Sequence, residues 1–393
     1  MRMFWIPMII AIIINIVIDI FLYRKIVESR CAKWVRVGHV LLSVLLSAAL
    51  IIALIIGPRS GSVLFLMWTL YTYLSVYIPK YFYCIFHGLS AVPRLWKRGS
   101  LRWLQIAGMI VAFGVLIAMW HGALYNRYNT QIVSTEVSSP RLPAAFSGYR
   151  IVQISDLHLG TYGTDTSYVS KLVTQINDLK PDLIVFTGDL VNSQSDESDP
   201  FVRPLSRLKA ADGVLSILGN HDYGDYRNWP SPEAKAADFK HLVDNQKAMH
   251  WRMLDNEYVA LRRGNDSIAI IGVQNWGDPP FPTYGDLHKA YPALTDSCFK
   301  ILLTHNPAHW RAEVTDATNI DLSLAGHTHA MQIEVDLFGH RFSPSAWRYK
   351  EWGGMYEHGE QRLYVNIGVG CVGFPARLFA ARPEVTILTL RKK

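Results

Sequence analysis

The stretch YRIVQISDLHLG, residues 149–160, decides the fold of the second half of this chain, because an apolar run ends there on side chains of metal-binding type. Four later stretches follow the same plan, namely LIVFTGDLVN at 183–192, VLSILGNHDY at 214–223, FKILLTHNP at 299–307 and LSLAGHTHAM at 322–331. The apolar runs have the length of short strands, and α/β proteins place their sites where parallel strands end. The five stretches therefore predict an α/β domain with one site built from five strand ends.

Amphipathic segments alternate with these runs. The further elements predicted are helices at Ser167–Leu179, Pro200–Lys209 and Pro232–Met249, a hairpin of Tyr258–Arg262 and Ser267–Val273, and strands at Leu363–Asn366 and Val385–Leu390. Alternating units followed by a β-rich end favour two packed β-sheets flanked by helices, an αββα sandwich. We expect this domain to occupy residues 149–393, with residues 126–148 as a linker.

The polar residues at the strand ends form a candidate ligand set of Asp156, His158, Asp189, Asn220, His305, His327 and His329. In an extended segment residues i and i+2 point the same way, so Asp156 and His158 are expected to reach one ion together. The same spacing relates His327 to His329. Asp189 is expected to bridge two ions through its two oxygens, which holds such ions about 3.5–4 Å apart. Mixed nitrogen and oxygen ligands suit Mn, Fe or Zn better than Ca.

Each of these residues alone also has a structural interpretation. Asp156 could cap a helix, Asp189 could be a turn residue, and His305 could end an ordinary strand. Seven ligand-type residues at the ends of five predicted strands favour the metal site over these separate explanations.

The motifs resemble those of the calcineurin-like metallophosphoesterase superfamily, whose pattern is DxH, GD, GNH[DE], H and GHxH. The resemblance covers residues 149–393. It implies one divalent ion held by Asp156, His158, Asp189 and His329, and a second held by Asp189, Asn220, His305 and His327. It also implies that His221 protonates the leaving group and that Asp222 orients the imidazole of His221.

The C-terminal Gly-rich turn with Arg377 and Arg382 is similar to a membrane-associated bacterial branch that includes phosphodiesterase-like and UDP-diacylglucosamine pyrophosphatase members. The two arginines could bind a second phosphate or could be solvated surface residues, and both interpretations stay open. Many members of this branch read GHTHGGQ, where the chain has Ala330 and Met331. Many also place an arginine after the final strand, where the chain has Ile367. Neither departure removes a ligand, but both alter the rim of the pocket.

The first third of the chain is apolar in a different way. Half of the 393 residues are hydrophobic, which is unusual for a soluble enzyme. Four apolar stretches approach the roughly 20 residues needed to cross a bilayer, namely Phe4–Tyr23, Val40–Ile56, Ser62–Ile78 and Leu104–Leu124. We therefore expect residues 1–125 to form an α-helical membrane region with about four transmembrane helices.

Charge divides along the same boundary. Residues 1–130 hold thirteen Lys or Arg and two acidic residues, whereas the remainder holds 26 basic and 30 acidic residues. The net charge of +7 thus belongs to the membrane region, and a nucleic-acid partner is disfavoured. Two connections carry most of the basic residues, which are Arg24, Lys25, Arg30, Lys33 and Arg36 in the first and Arg94, Lys97, Arg98 and Arg102 in the third. The positive-inside rule then predicts a bacterial inner-membrane protein with its catalytic domain in the periplasm or outside the cell.

Two smaller features need an interpretation. Asp19 lies inside the first apolar stretch and is expected to extend toward the cytoplasmic interface. The spans show no paired polar residues, which disfavours a transporter. Cys298 and Cys371 could pair in an oxidising compartment or could be two buried core residues, and both interpretations stay open.

The sequence thus predicts a membrane-anchored phosphoesterase that acts on a phosphoester or pyrophosphate bond of a lipid or cell-envelope substrate. A metal-activated hydroxide would attack phosphorus while His221 acts as general acid. One alternative is UDP-2,3-diacylglucosamine pyrophosphatase activity in lipid A biosynthesis, which an outward-facing site opposes. A non-catalytic membrane scaffold is the alternative from another class, and the complete ligand set opposes it. The loop Asn275–Phe281 is interpreted either as facing acyl chains or the bilayer or as a packed loop. The segment Trp347–Gly354 is interpreted as a lid over the site.

Overall fold

The computed structural model describes residues 2–60, 63–96, 99–279 and 281–393, and Ser62, Lys97, Arg98 and Pro280 lie outside the described residues. Two compact units are present. The membrane unit comprises Met1–Gly122 with Gly373–Pro375, and the catalytic unit comprises Ala123–Val372 with Ala376–Lys393.

The α-helices are α1 (Arg2–Leu22), α2 (Glu28–Arg30), α3 (Lys33–Ser60), α4 (Val63–Ala91), α5 (Arg102–Leu124), α6 (Ser167–Asp178), α7 (Val202–Leu205), α8 (Pro232–Ala248) and α9 (Leu287–Ala290). The strands are β1 (Gln131–Ser139), β2 (Arg150–Ile154), β3 (Leu183–Thr187), β4 (Val214–Ile217), β5 (Trp251–Met253), β6 (Glu257–Arg263), β7 (Asp266–Gly272), β8 (Phe299–Leu303), β9 (Leu322–Ala325), β10 (Ile333–Leu337), β11 (His340–Phe342), β12 (Gly354–His358), β13 (Gln361–Val365), β14 (Leu378–Phe379) and β15 (Glu384–Lys392). Short 3₁₀ or π segments are Tyr23–Val27, Val92–Trp96, Asn126–Tyr128, Ala144–Phe146, Leu159–Tyr162, Ser195–Phe201, Asn220–Tyr223, Trp310–Val314, His329–Gln332 and Pro344–Trp347.

Four long helices, α1, α3, α4 and α5, coincide with the four apolar stretches of the sequence. Within the described residues, Lys33–Ile56 and Arg102–Tyr128 have the length and composition of membrane spans. Helix α4 continues through Pro79 to Ala91, so the third apolar segment is longer than its hydrophobic run suggests. The helical membrane region predicted for the N-terminal third is therefore present.

A buried polar cluster holds the membrane unit together. The Lys80 ammonium donates to Asp19 Oδ1 at 2.6 Å, and the Tyr77 hydroxyl donates to Asp19 Oδ2 at 2.7 Å. Nearby, Asn15 Nδ2 donates to the Tyr73 hydroxyl at 2.7 Å. The expectation that the spans lack paired polar residues was wrong, whereas the expectation that Asp19 extends toward the cytoplasmic interface stays a prediction. Because α1 packs against α4, the carboxylate meets its cation inside the helix bundle.

The catalytic unit contains two six-stranded sheets and one three-stranded sheet. The first sheet has the order β1-β15-β2-β3-β4-β5, the second β12-β13-β9-β8-β7-β6, and the third β11-β10-β14. Strands β2, β3 and β4 are parallel neighbours, as are β7, β8 and β9. Their carboxyl ends therefore meet along common edges, as the sequence analysis predicts.

The main core lies between the two six-stranded sheets. Ile151 and Leu215 of the first sheet belong to one buried cluster with Ile270 and Leu303 of the second. A separate cluster packs α6 and α8 onto the outer face of the first sheet. Every residue of β3 is buried, which explains its unbroken apolar run. The αββα sandwich is thus confirmed, and it fixes the sheet ends that carry the site.

Two predictions about secondary structure were wrong. The segment 126–148 is not a linker, because Gln131–Ser139 forms β1 and pairs along its whole length with β15. Its alternating exposed positions belong to the edge of a sheet, and an edge strand with a polar face resembles a linker in sequence. The helix expected near Pro200–Lys209 is only α7, Val202–Leu205, because Pro200 and Pro204 each remove a backbone donor.

The cysteines are free thiols. Cys371 is buried and Cys298 is partly buried beside the carbonyl of Phe299. Of the two interpretations left open by the sequence, the structure shows unpaired cysteines.

Candidate metal centre

Five loops at the ends of β2, β3, β4, β8 and β9 are tied together by their own backbones. The amide of Asp156 donates to the carbonyl of Gly188 at 2.9 Å, and the amide of Gly326 donates to the carbonyl of His305 at 3.0 Å. The amide of His327 donates to the Asp156 carboxylate at 3.0 Å. The two sheets are thereby linked at this edge, and the ligand-type side chains are held close by the fold itself.

One group of four ligand-type side chains surrounds a single point. The Nε2 atoms of His158 and His329 are 3.1 Å apart, and His329 Nε2 is 3.1 Å from Asp156 Oδ1. His158 Nε2 is 3.5 Å from Asp189 Oδ2. One ligand atom from each of the four lies within 4.8 Å of the others. All four residues are buried, so their donor atoms face one another rather than solvent.

A second group shares Asp189 with the first. His305 Nε2 is 3.2 Å from Asp189 Oδ2 and 3.0 Å from Asn220 Oδ1. His327 Nδ1 is 3.2 Å from the same His305 Nε2. On the far side of its ring, His305 Nδ1 donates to the carbonyl of Thr187 at 2.7 Å, which fixes the orientation of the imidazole.

The Asp189 carboxylate divides its two oxygens between different tasks. Oδ1 accepts from the amide of His221 at 2.8 Å. Oδ2 is the oxygen that faces both His158 and His305. The expectation that Asp189 bridges two ions stays a prediction, and Oδ2 is the oxygen that both ligand groups share.

The charges of the metal-free site suit a cation. Burial lowers the pKa of His158 well below its ordinary value and, together with the charge of His305, lowers the pKa of His327 to about 3. Burial alone would lower the pKa of His305, but the negative charge of Asp189 outweighs it and raises that pKa to about 9. A proton at His305 therefore takes the place of a cation beside Asp189, and metal binding would release it. Neutral imidazoles with ionised carboxylates form a donor set that fits a divalent ion.

The ligand side chains converge through left-handed backbone rather than through extended strands. Asp156, His158, Asp189, His327 and His329 have φ of +53°, +43°, +62°, +73° and +50°. The expectation that residues i and i+2 meet by strand alternation was wrong for both pairs. Such conformations cost about 1–2 kcal/mol per residue, so the surrounding backbone hydrogen bonds must hold them.

The left-handed run continues beyond His329 through Ala330, Met331 and Gln332, with φ of +52°, +46° and +58°. Related sequences that have two glycines at 330 and 331 avoid this cost, because glycine adopts positive φ freely. Ala330 is buried against Trp352, whereas the Met331 side chain is 41% exposed.

Met331→Gly is therefore expected to raise the free energy of unfolding by about 1 kcal/mol, since it relieves strain and removes little buried surface. Thermal unfolding of the purified protein measures the effect. Met331→Ala is the matched control, because it shortens the side chain and keeps the strained Cβ. Equal stability of the two variants would contradict the assignment of strain to this position.

Residue 219 is glycine because a side chain would not fit there, and not because of its backbone torsion angles. Its φ is −100°, but an added Cβ would meet the Asp189 carboxylate and would lie 2.5 Å from the Asp189 amide nitrogen. Gly188 combines both requirements, with φ of +95° and a Cβ position 2.5 Å from the Gly219 nitrogen. Glycine is therefore needed at 219 for space and at 188 for both space and backbone conformation.

His221 lies at the edge of the two groups. Its ring centroid is 4.9 Å from that of His158 and 4.5 Å from that of Tyr226. Its Nδ1 donates to the backbone carbonyl of Asn192 at 2.7 Å. This contact leaves Nε2 as the nitrogen available for proton transfer.

Asp222 does not orient His221, which corrects the role implied by the resemblance. Its carboxylate oxygens accept from the amides of Gly219, Asp189, Leu190 and Val191 at 2.9, 2.9, 2.8 and 3.3 Å. The 3₁₀ turn Asn220–Tyr223 directs Asp222 back toward the β3 loop, so the carboxylate stabilises the backbone around Asp189.

Comparisons with known proteins agree with this geometry. A family model described as "Calcineurin-like phosphoesterase" matches residues 149–331, and one described as "Probable Calcineurin-like phosphoesterase, transmembrane domain" matches residues 1–127. The uncharacterized metallophosphoesterase YkuE of Bacillus subtilis is 37% identical over 71% of this chain and 94% of its own length. This chain belongs to the calcineurin-like metallophosphoesterase family. It is therefore a hydrolase with a membrane domain.

Two further relatives of this phosphoesterase are named for a transmembrane metallophosphoesterase and for a pyrophosphatase. The transmembrane protein with metallophosphoesterase domain of Danio rerio is 28% identical over 81% of this chain and 72% of its own length. The UDP-2,3-diacylglucosamine pyrophosphatase LpxG of Chlamydia muridarum is 26% identical over 71% of this chain and 94% of its own length.

The two candidate phosphate-binding arginines of the phosphoesterase both donate to backbone carbonyls. Arg377 is fully buried, and its guanidinium donates to the carbonyls of Gly370 and Ile367 at 2.7–3.0 Å. Arg382 donates to Asn129 and to the carbonyl of Thr130 at 2.9–3.2 Å. Arg377 Nη2 also lies 3.3 Å from Nδ1 of the ligand residue His329, so Arg377 borders the metal centre, and the phosphate-binding role of the two arginines stays a prediction.

Two tyrosines contact ligand residues of the phosphoesterase site, although neither was predicted as a site residue from sequence. The Tyr226 hydroxyl accepts from Asn220 Nδ2 at 2.8 Å, and the Tyr349 hydroxyl lies 2.7 Å from His327 Nε2. Tyr349 falls in the Trp347–Gly354 segment that the sequence singled out, whereas Tyr226 carries no motif. In the Asn275–Phe281 loop the Trp276 ring stacks on His309 with centroids 5.5 Å apart, whereas Phe281 is exposed.

Proposed function

We propose that this chain is a membrane-anchored, dinuclear metal-dependent phosphoesterase that cleaves a phosphoester or pyrophosphate bond of a lipid or cell-envelope substrate. The observation that carries the proposal is the pair of ligand groups that share Asp189. We assign one ion to Asp156, His158, Asp189 and His329, and the other to Asp189, Asn220, His305 and His327. Their imidazole nitrogens and carboxylate oxygens favour Mn, Fe or Zn. We assign anchoring to residues 1–125 and catalysis to the unit that follows, including residues 126–148.

The residues around the ligands suggest how the reaction proceeds. When bound, two divalent ions supply an activated water and neutralise charge on the phosphate oxygens. His221 donates a proton from Nε2 to the leaving oxygen, while the Asn192 carbonyl holds its Nδ1–H. Asp222 keeps the Asp189 loop in place through its four backbone amides. The Tyr226 ring packs on His221 and helps to exclude water from that side of the imidazole.

An exposed apolar hairpin supports a lipid substrate. The apolar hairpin, residues 333–342, consists of β10 and β11 and begins directly after the turn that holds His329. Leu337 and Phe342 are more than half exposed, and the Phe338 side chain is completely exposed. Trp347, a few residues further on, is 90% exposed. Large exposed apolar side chains beside a site favour contact with lipid, where aromatic rings are stable at the interface.

Replacing Leu337 and Phe338 together by serine is expected to lower turnover of a lipid phosphodiester in vesicles about 100-fold or more, because each apolar side chain buried in lipid contributes on the order of 1.5 kcal/mol or more. Turnover of soluble bis-p-nitrophenyl phosphate should not change. Tyr258→Ser is the control, since Tyr258 is 47% exposed on β6 of another sheet. A double variant that lowers both activities equally, or neither, would argue against the lipid contact.

The basic connections support a catalytic unit on the outer side of the membrane. By the positive-inside rule the first and third connections lie in the cytoplasm, which places the chain after α5 on the opposite side. Protease added to intact spheroplasts should then digest the catalytic unit. Protection until the membrane is lysed would reverse this topology.

A second candidate is cleavage of the pyrophosphate of a nucleotide-linked lipid. The observation in its favour is the similarity to the pyrophosphatase LpxG over 94% of that relative. An outward-facing site opposes it, because such nucleotides are made in the cytoplasm. The spheroplast experiment therefore also discriminates between the two candidates.

The proposed function is tested on the full chain in detergent. Bound metals are measured on the purified protein, and turnover of bis-p-nitrophenyl phosphate is measured with Mn²⁺ and after chelation. Two bound ions per chain and turnover that chelation removes and Mn²⁺ restores are the expected result. A purified, folded chain that binds no divalent ion would overturn the proposal.

A further inference from the structure

A partly buried hydrogen-bond chain leads away from His221 to a carboxylate that no motif includes. The His221 Nδ1–H donates to the carbonyl oxygen of Asn192 at 2.7 Å. That carbonyl belongs to the same peptide group as the amide N–H of Ser193. The Ser193 amide in turn donates to Glu197 Oε1 at 3.2 Å. Imidazole, peptide and carboxylate are thus joined in series.

Further contacts fix the Glu197 carboxylate in this position. Its Oε2 accepts from the amide of Asn192 at 2.5 Å, and its Oε1 also accepts from the Ser193 hydroxyl at 3.0 Å. Gly160 leaves room for it, because an added Cβ there would lie 2.6 Å from the carboxyl carbon. The Asn192 side chain is itself anchored, with Nδ2 3.3 Å from the carbonyl of Cys371. Both amides flanking residue 192 are therefore held by one carboxylate.

We propose that Glu197 is a positioning residue for His221 that acts through the Asn192–Ser193 peptide group. The inference rests on the proposed function, in which His221 donates the proton to the leaving oxygen. A negative carboxylate on the N–H side of a peptide polarises it and makes its carbonyl a stronger acceptor. The Asn192 carbonyl then holds the imidazole in one orientation through Nδ1, which leaves Nε2 free to face the leaving oxygen. Glu197 thereby orients His221 through one peptide group, which is the role that the family resemblance implies for Asp222.

Glu197→Gln tests this because it keeps the shape and removes the charge. Turnover is measured over a series of aryl phosphodiesters whose leaving phenols differ in pKa. We expect a loss of about tenfold with the poorest leaving group and little change with the best, since only poor leaving groups need a proton. Asp196→Asn is the matched control, as Asp196 is the exposed acid next in sequence. Metal content should be unchanged in both variants.

A double-mutant cycle separates positioning from general loss of structure. In the absence of the His221 imidazole the carboxylate has nothing to position, so Glu197→Gln should cause no further loss in a His221→Ala background. Losses that multiply in the double variant, or a loss in Glu197→Gln that is equal for all leaving groups, would overturn the proposal.

A readout that does not depend on turnover completes the test. In the metal-free protein labelled with ¹⁵N-histidine, the His221 Nδ1 proton should be protected from exchange in the wild type and in Asp196→Asn, and should exchange faster in Glu197→Gln. Unchanged protection in Glu197→Gln would overturn the positioning contact. A wild type without metal-dependent turnover would instead defeat the proposed function, and the Nδ1 proton would still decide the contact.

Discussion

Asp189→Asn is expected to abolish both metal binding and turnover, with a loss of activity of about 1,000-fold or more. The asparagine keeps an oxygen for the His221 amide, so the loop conformation should persist. It removes the one negative charge that both ligand groups share. Because bound divalent ions contribute several kcal/mol to stabilising the reacting phosphate, their loss corresponds to at least this factor.

Metal-dependent stability gives a second measure of the Asp189 variant. An ion present at about 100 times its dissociation constant stabilises a folded protein by about 2.7 kcal/mol per site, so the wild type should melt at a higher temperature when Mn²⁺ is added. The variant should show no such shift. Asp178→Asn is the control, because Asp178 is an exposed acid at the end of α6. A variant that retains two ions would show that Asp189 is not the shared ligand.

His221→Asn is expected to lower turnover of substrates with poor leaving groups by about 10²- to 10⁴-fold and to leave the bound metal in place. The imidazole is not a member of either ligand group, and its Nδ1 is engaged by the Asn192 carbonyl. The loss should shrink as the leaving group improves, because a good leaving group departs without a proton. Equal turnover of wild type and variant with a poor leaving group would rule out the general acid.

Asp222→Asn provides the contrast to the His221 variant. Its carboxylate accepts four backbone amides, and an amide side chain cannot accept them all. The variant should lose about 1–3 kcal/mol of stability and should affect all leaving groups alike, since it disturbs the loop that carries Asp189. The motif places His221 and Asp222 side by side, but their expected phenotypes differ.

The strand ends were predictable from sequence because apolar runs and the polar residues after them obey simple rules. β3 is an unbroken apolar run followed by Gly188 and Asp189, and burial on both faces of a parallel strand demands such a run. Parallel neighbours then bring Asp156, Asp189 and Asn220 to one edge without further information. The family resemblance supplied the division of these ligands into two groups.

The remaining features depend on contacts that are distant in sequence or made by backbone. The contact between the Asn192 carbonyl and His221 could not be predicted from sequence, because every residue type has a backbone carbonyl. The polar outer face of β1 resembles a linker until β15, 253 residues later, pairs with it. The left-handed φ of His158 and His329 could not be predicted from sequence, because positive φ is uncommon for residues other than glycine.

The partnership between Asp19 and Lys80 also bears on how the protein is made. The two residues are 61 positions apart, so α1 leaves the ribosome well before its counter-ion has been synthesised. Asp19 lies in the last turn of α1, where an uncompensated carboxylate costs up to about 2.5–3.5 kcal/mol, the value for the centre of an inserted helix. The first helix therefore reaches its full stability in the bilayer only after α4 has been translated, and a nascent chain that stops before residue 80 contains a membrane helix without its electrostatic partner.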